Sequence, residues 1–561
     1  VHSELAFPCL AQIVDSIVAM LRFLLATAAL CLGTLKVKAS SEWTAPQEID
    51  INAPHKHEED HLSKHTDHNA KSLSSEVKFW KQNNELPTCP SSRPDEDVIA
   101  SMYTHHRDKA VAAAGAQPGD AIVLFGGDLE FRTGSDTEIL FRQISSVWYM
   151  ANLDLYNCIL FITVGAGGHL NTTALVERQT RSQDIFNGFL PSFEELAEGF
   201  STDYAGYVDE LDTLLQQYLD SSSSLATPTV FTDDSARLES AVGGVPMNVN
   251  DHAILTGIDL ARCVKDNTEV EMLRYASEVA GASHLASWKA TKINPTISEM
   301  TLEAAFVGTS QACGLRFQAY IPIVAAGNNG AVLHYYKAQD NAQPGEVLLL
   351  DAAPELQGYC SDVTRTYPVS GVFTDKEKVV YDAVLASADA GIRAMKLGAD
   401  WNVDVCYGSE SAPGAYWALT EALVAAGFII PGDATIRQLV FGDSRNGVPR
   451  AWGTFLPHSL GHGVGLNVHD MGVTYSGCGT TLEVGHVMTI EPGIYFIDEL
   501  LDEACGGNDA AFYNCELMDS YRGFGGVRLE DVVAVTESEP DCLSCDTPRT
   551  TDAIEAAFAA L

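Results

Sequence analysis

Three histidines separated by four and seven residues stand in one glycine-rich stretch of this 561-residue chain. They are His458, His462 and His469, in the sequence HSLGHGVGLNVHD. A single histidine is usually a packed or surface residue, but this spacing among glycines is difficult to explain by packing. Acidic residues from separate segments could meet one of these imidazoles. They are Asp351, Asp362, Glu491 and Glu530. Together these residues predict a site for two metal ions.

The segment around the first two acidic residues indicates how they could converge. Val347–Leu350 is continuously apolar, which predicts a buried strand that ends at Asp351. We predict a hairpin whose centre lies between Leu356 and Gln357. That register places Asp351 directly opposite Asp362, with Cβ atoms about 5 Å apart. Two carboxylates this close in an apolar setting need a cation to stay ionised.

The other two acidic residues also lie at strands. Glu491 comes directly after an apolar run and before a Pro-Gly pair. In Val527–Glu530 the residues alternate, so Arg528 and Glu530 share one face of a strand and the apolar pair faces the core. Four carboxylates and one imidazole form a hard ligand set that suits Mn²⁺ better than structural zinc. Two divalent ions that share carboxylates can hold a hydroxide at neutral pH.

These segments resemble a known family, the pita-bread metallopeptidases, and within it the proline-peptide branch of prolidase and aminopeptidase P. The resemblance extends from about residue 97 to residue 550. The motifs that carry it are AVLHYY, LLLDAAPE, YCSDVTRTYP, HSLGHGVGLNVHD, TIEPGIYFIDELLDEA and FGGVRLEDVV. The last two are most similar to prolidase.

The resemblance implies a role for each candidate metal ligand. Asp351 would bind one ion, whereas Asp362 and Glu530 would bridge both. His462 and Glu491 would complete the second ion's site. Glu491 would also take the proton of the attacking water and pass it to the leaving nitrogen. The implied cofactor is a pair of divalent ions per subunit, Mn²⁺ first, with Co²⁺ or Zn²⁺ as alternatives.

The remaining candidates would act on the substrate. The resemblance implies that His469 stabilises the oxyanion of the tetrahedral intermediate. His334, in AVLHYY, and His458 would line the substrate pocket. Arg528 would support Glu530 and the bound peptide.

The branch acts on Xaa-Pro bonds, which are tertiary amides without the N–H that general peptidases grip. The resemblance therefore implies a dinuclear-metal hydrolase of proline-containing di- or oligopeptides that uses a metal-bridging hydroxide. An Xaa-Pro dipeptidase is the first reading. An Xaa-Pro aminopeptidase acting on longer peptides is the alternative. A non-catalytic pita-bread binding protein is the remote alternative, because such relatives lose metal ligands that are present here.

Two departures from the family pattern bear on this choice. The usual Asp-x-Gly-x-Glu motif is Asp351-Ala-Ala-Pro-Glu355 here, which keeps the ligand spacing. Eukaryotic prolidases tend to carry a longer insert in the segment corresponding to residues 471–490, with an arginine that binds the dipeptide carboxylate. This chain has neither Arg nor Lys in that segment. Strict dipeptide specificity therefore does not follow.

The surrounding pattern predicts an α+β protein. The pattern predicts a smaller N-terminal α/β domain at residues 97–260, and the resemblance implies that a pita-bread (creatinase/aminopeptidase-like) catalytic domain follows at residues 264–550. The resemblance implies that the first domain covers the mouth of the active site and contributes to a homodimer. Its strands are predicted at Ala121–Phe125, Phe141–Ile144 and Cys158–Thr163. In the second domain, Thr268–Glu271 and Thr374–Glu377 are predicted to open helices as capping boxes.

The first 96 residues differ from the rest. Residues 1–39 are interpreted as a leader, in which an apolar run from Met20 ends in small residues at Ala39, as in a secretory signal; an N-terminal helix is the alternative. Residues 40–96 are polar and histidine-rich, which predicts a disordered linker. No later segment could cross a membrane. The protein would be secreted or endomembrane if the leader is a signal, and otherwise cytoplasmic.

Composition limits the partners. The chain has 34 basic and 75 acidic residues, a net charge of −41, which argues against nucleic acid and anionic membranes. Its 13 cysteines are scattered, and we interpret most as core thiols, with a few disulfides expected in an oxidising compartment. Cys542 and Cys545 lack the second pair that a zinc site needs. Asn171 opens a glycosylation sequon, Asn-Thr-Thr, which matters only in a secreted chain.

Overall fold

The computed structural model of the protein describes residues 88–561 except 223–227, 244 and 476. The leader predicted at residues 1–39 and nearly all of the linker predicted at residues 40–96 lie outside this range. Among the described residues, no helix has the length and hydropathy that a membrane span requires.

The first domain is organised around one mixed sheet. Its strands are β1 (Ala121–Phe125), β2 (Ile159–Val164), β3 (Leu170–Val176), β4 (Tyr204–Tyr207), β5 (Thr229–Thr232) and β6 (Asn248–Asn250). Its helices are α1 (Glu96–Ala113), α2 (Ser145–Met150), α3 (Arg181–Asn187), α4 (Phe193–Gly199), α5 (Leu211–Ser222), α6 (Ser235–Ala241) and α7 (Ala253–Arg262). The strand order is β4-β3-β2-β1-β5-β6. The apolar strand β1 is buried at its centre, between antiparallel β2 and parallel β5.

The strand predicted at Phe141–Ile144 is wrong. These residues form an irregular segment that leads into α2. Its buried Gln143 side chain donates to the carbonyl oxygens of Leu153 and Leu155, at 2.6 and 2.9 Å, and accepts from the Gly127 N–H at 2.9 Å. The apolar residues had suggested a sheet partner, but this amide satisfies the neighbouring backbone instead.

The second domain combines helices with short antiparallel sheets. Its helices are α8 (Asn267–Ile293), α9 (Glu299–Ala312), α10 (Asp375–Ala394), α11 (Ala415–Ala425), α12 (Ile436–Phe441), α13 (Asp498–Gly506), α14 (Cys515–Asp519) and α15 (Thr551–Ala560). Its strands are β7 (Ile323–Ala326), β8 (Val347–Asp351), β9 (Glu355–Leu356), β10 (Tyr359–Cys360), β11 (Thr364–Pro368), β12 (Gly408–Ser409), β13 (Ala412–Pro413), β14 (Val487–Ile490), β15 (Gly493–Tyr495), β16 (Gly526–Arg528), β17 (Asp531–Ala534) and β18 (Asp541–Cys542).

The acidic residues lie on or beside the strands of these sheets. One sheet has the order β11-β8-β7, a second has β14-β17-β18, and β15 pairs with β16. An isolated bridge between Thr364 and Glu530 joins the first of these to the segment between β16 and β17. Helices packed around antiparallel strands are the α+β arrangement that the sequence predicts.

The first residues of two helices test the capping boxes predicted from the sequence. The capping box of Thr374 and Glu377 opens α10 as predicted. The box predicted at Thr268–Glu271 is wrong by two residues. Asp266 caps α8 instead: its side chain accepts from the Glu269 N–H, and the Glu269 side chain accepts from the Asp266 N–H. Both pairs have the right spacing, and aspartate is a stronger N-cap than threonine.

The interpretation of most cysteines as core thiols is wrong for the described residues. Eight of them form the disulfides Cys89–Cys313, Cys263–Cys478, Cys505–Cys515 and Cys542–Cys545. Three buried cysteines, Cys158, Cys360 and Cys406, are free. Two of the bridges span 224 and 215 residues. Pairings at such distances cannot be deduced from spacing alone.

Candidate metal centre

Strand β8 delivers Asp351 to the site from a fully buried position between β7 and β11, as predicted. The predicted register is wrong by two residues, because Asp351 pairs with Thr364 rather than with Asp362. The hairpin turn consists of Gln357 and Gly358, whose φ angles of 46° and 84° are both positive. That is the conformation of a two-residue type I′ turn.

A slip of two residues leaves each side chain on the same face of the strand, so the two aspartates still converge. The Tyr320 hydroxyl lies 2.6 Å from Oδ1 of Asp351 and 2.6 Å from Oδ1 of Asp362. Burial and the two carboxylates hold the pKa of Tyr320 well above its usual range, so it remains a neutral donor. Sequence reasoning missed Tyr320, since a tyrosine just before an apolar strand carries no distinctive pattern.

His462 faces Asp362 and Glu491. Its Nε2 lies 3.4 Å from Asp362 Oδ2 and 3.4 Å from Glu491 Oε1. Its Nδ1 lies 3.0 Å from the Gly463 carbonyl oxygen, an acceptor that requires the proton on Nδ1 and leaves Nε2 as the ligand atom. Burial opposes protonation, but the hydrogen bond to Asp362 and the charge of Glu491 raise the pKa of His462 to about 9.

Packing against β14 requires a glycine at position 461, directly before His462. A Cβ atom on Gly461 would lie 2.0 Å from the Thr489 carbonyl oxygen of β14. This close approach allows two hydrogen bonds between Thr489 and the His462 backbone. The Thr489 N–H donates to the His462 carbonyl oxygen at 2.8 Å, and the His462 N–H donates to Thr489 Oγ1 at 3.0 Å. The glycines of the histidine stretch therefore hold His462 against the strand that ends at Glu491.

Glu530 completes the cluster. Its Oε2 accepts a hydrogen bond from Thr364 Oγ1 at 2.7 Å. Ligand atoms of Asp362, His462 and Glu530 all lie within 4.8 Å of one another. The structure thus brings the five predicted ligand residues to one place.

Excess negative charge dominates this place. Burial raises the pKa of Asp351, raises that of Glu491 to about 8 and holds that of Glu530 well above its usual range, and neighbouring carboxylates add to each shift. Arg528 contacts the cluster through an ion pair between its Nη2 and Asp351, and the charge of Glu530 also acts on it. One guanidinium cannot balance four carboxylates, so the donor set fits two hard divalent cations.

The predicted substrate residues surround this cluster. His458 Nε2 lies 2.9 Å from the Tyr495 hydroxyl, and burial beside Arg528 lowers the pKa of His458 to about 4. The exposed His469 meets the His462 ring edge to face, with centroids 4.2 Å apart. Burial of part of its ring and the nearby His462 lower the pKa of His469. His334 is exposed.

Comparison with known proteins identifies this arrangement. Residues 271–537 match the model of metallopeptidase family M24, and residues 103–226 match the aminopeptidase P N-terminal domain. The Xaa-Pro dipeptidase of Homo sapiens is 33% identical over 465 residues, covering 79% of this chain and 89% of that protein. This chain belongs to metallopeptidase family M24. A probable Xaa-Pro aminopeptidase of Pyricularia oryzae is 30% identical over 475 residues, 81% of this M24 chain and 96% of that protein.

Solved structures agree with the family. Aminopeptidase P from E. coli with the inhibitor Pro-Leu superposes with a TM-score of 0.67 at 26% identity, covering 82% of this chain and 98% of that one. Proline aminopeptidase P II from Yersinia pestis superposes with a TM-score of 0.67 at 25% identity, covering 82% of this chain and 100% of that one. The predicted fold, an α/β domain followed by a pita-bread domain, is confirmed for this M24 peptidase.

Metal binding tests the cluster directly. We expect the metal-free protein to bind two Mn²⁺ ions per chain in equilibrium dialysis. Asp362→Asn should weaken binding at least about a hundredfold, near 2.7 kcal/mol, because a shared ligand loses its charge. The matched control is Glu377→Gln, a buried carboxylate of the α10 capping box, which should bind like the parent. Unaltered Mn²⁺ binding by Asp362→Asn would contradict the assignment of this site.

Proposed function

We propose that this chain is a dinuclear-metal hydrolase of Xaa-Pro peptide bonds, and specifically an Xaa-Pro dipeptidase. The observation that carries the proposal is the convergence of four buried carboxylates with the Nε2 atom of His462. Relatives with more than 30% identity named as Xaa-Pro dipeptidases support the substrate class. Retention of every ligand residue disfavours a binding protein without catalysis.

Divalent ions bound here would activate water and polarise the scissile carbonyl. Mn²⁺ suits the oxygen-rich donors first, with Co²⁺ or Zn²⁺ as alternatives. The residues that would hold the ions are Asp351, Asp362, His462, Glu491 and Glu530. Arg528 orients Asp351 through their ion pair.

The remaining steps need a proton carrier and an oxyanion donor. Glu491 accepts the proton of the attacking water and delivers it to the proline nitrogen, a role supported by its position beside His462, whose Nε2 lies 3.4 Å from Glu491 Oε1. His469, exposed beside His462, donates to the developing oxyanion. His334 and His458 contact the peptide from the pocket wall.

A specific observation favours the second candidate, an Xaa-Pro aminopeptidase. The segment 471–490 offers no cation, and it is tied to the scaffold by the Cys263–Cys478 disulfide and by Tyr475, whose hydroxyl lies 3.2 Å from Asp259 Oδ2. Arg528 is engaged by Asp351, and Arg365 is buried against Asp531 at 2.6 Å. A dipeptide carboxylate therefore needs a cation from another loop or a partner subunit.

We also propose a homodimer formed through the first domain. Bulky apolar side chains lie exposed on α3 and the loop after it: Ile185 is 69% exposed, Phe186 83% and Phe189 85%. Three large apolar side chains exposed within five residues of the chain support an interface at this segment.

We propose that the protein is secreted or located in an endomembrane compartment and that the segment from Met20 is its signal peptide. Disulfides persist mainly in oxidising compartments, and the described residues hold four of them. The sequon residue Asn171 is exposed on β3, where a glycan could be accommodated. Both observations support passage through the secretory pathway.

Substrate length separates the two candidate activities. For a dipeptidase we expect kcat/KM for Ala-Pro to exceed that for Ala-Pro-Ala and for Ala-Pro amide by about a hundredfold, near 2.7 kcal/mol, because a free carboxylate would be recognised by a dedicated donor. Steady-state hydrolysis of the three peptides measures this. Equal or faster cleavage of the tripeptide and the amide would move the assignment to the aminopeptidase.

The compartment has its own test. Fused to a reporter, residues 20–45 should direct it into the secretory pathway. The full chain expressed in the same cells should lose mass on treatment with an N-glycosidase, and Asn171→Gln should abolish that loss. A uniformly cytosolic reporter together with an unglycosylated chain would contradict the proposed location.

A further inference from the structure

We infer that Arg142, a residue of the first domain, is a positioning residue for His469, so that the first domain sets the geometry of the catalytic loop. The inference rests on the function proposed above. His469 stands exposed in the loop of residues 465–470, here called the His469 loop. A donor to an oxyanion must be held within about 0.5 Å of its productive position. The placement of His469 therefore depends on what holds the two ends of this loop.

Arg142 holds the first end. Its side chain crosses from the segment before α2 into the second domain, where Nε lies 2.9 Å from both carboxylate oxygens of Glu355. Its Nη2 donates to the Leu466 carbonyl oxygen at 2.9 Å, and Ser145 Oγ donates to the same oxygen at 3.0 Å. The Glu355 side chain is 1% exposed, and the guanidinium also lies 5.4 Å from the centroid of the Trp148 ring. The Arg142 guanidinium is thus fixed at Nε by Glu355 and holds the His469 loop through Nη2.

Two buried cations hold the second end. Arg262, at the end of α7, pairs with Asp470. Lys265, in the linker after α7, lies with Nζ 3.6 Å from Asp470 Oδ2 and donates to the Met471 carbonyl oxygen at 2.8 Å. With its amide oxygen facing α7, Asn467 also accepts from Arg262 Nη2 at 2.9 Å. His469 therefore lies between two anchors, neither of which belongs to the strands that carry the metal ligands.

Arg142 can be tested because its two tasks are separable. Lysine would keep a positive charge beside Glu355, but a single ammonium lacks the planar fork that reaches Glu355 and Leu466 together. Arg142→Lys should therefore loosen the His469 loop while retaining the ion pair between the domains. The variant should bind the same number of Mn²⁺ ions as the parent, since Arg142 contacts no candidate metal ligand in the described structure.

The experiment is a double-mutant cycle on Ala-Pro hydrolysis by the Mn²⁺-loaded enzyme. Arg142→Lys should lower kcat about tenfold with KM changed less than about twofold, as expected when an interaction made in the transition state is lost. In the His469→Ala background the same substitution should change kcat less than about twofold, because its effect passes through His469. The matched control is Arg178→Lys, an exposed arginine of the same domain that pairs with Asp209 and should change nothing.

Each other outcome is decisive. An equal loss of kcat from Arg142→Lys in both backgrounds would overturn the inference, because Arg142 would then act independently of His469. An unchanged kcat in His469→Ala would overturn the role of His469 and this inference with it, but would leave metal-dependent Xaa-Pro cleavage intact. If Arg142→Lys does not fold, Ser145→Ala, which removes the second donor to Leu466, enters the same cycle with an expected loss of about threefold.

Discussion

Burial of like charge is the constraint on which the rest of this structure depends. Four carboxylates share a site with one guanidinium, and burial among like charges raises the pKa of Asp351, Glu491 and Glu530. Such a cluster is stable as a set of anions only with cations among them. The fold brings the carboxylates together on rigid elements, and the ions that they would bind supply both the missing charge and the chemistry.

The scaffold meets this constraint with short, strongly buried strands. Strand β8 ends at Asp351, β14 ends directly before Glu491, and β16 ends two residues before Glu530, so these three carboxylates project from fixed backbone positions. Close backbone contact at Gly461 holds His462 against β14. The loop that carries the more exposed His469 is contacted from the first domain by Arg142, Ser145 and Arg262.

The sequence predicted the fold and the convergence of the candidate ligand residues because both depend on local patterns and ordered motifs. A buried apolar run that ends in Asp351, or an alternating run through Arg528 and Glu530, has few structural interpretations. Features that depend on backbone conformation or distant partners were not predicted. The hairpin register was missed because Gln357 adopts a positive φ that its residue type does not suggest.

The other features that the sequence did not predict also depend on partners that are distant along the chain. Arg528 could have paired with any acidic residue of the cluster, and only the three-dimensional arrangement selects Asp351. Tyr320 was missed because its contacts come from residues 31 and 42 positions away. The disulfides join cysteines from distant segments. The strand predicted at Phe141–Ile144 does not form, because the Gln143 side chain hydrogen-bonds with the backbone of Gly127, Leu153 and Leu155.

The central claim is that hydrolysis requires two divalent ions held by this cluster. The most direct measurement is Ala-Pro hydrolysis by chelator-treated protein during stepwise addition of Mn²⁺, with bound metal measured in each sample. The account predicts a rate at least about a hundredfold lower without metal, and a return to the full rate as occupancy reaches two ions per chain. Undiminished cleavage by the stripped protein would contradict it.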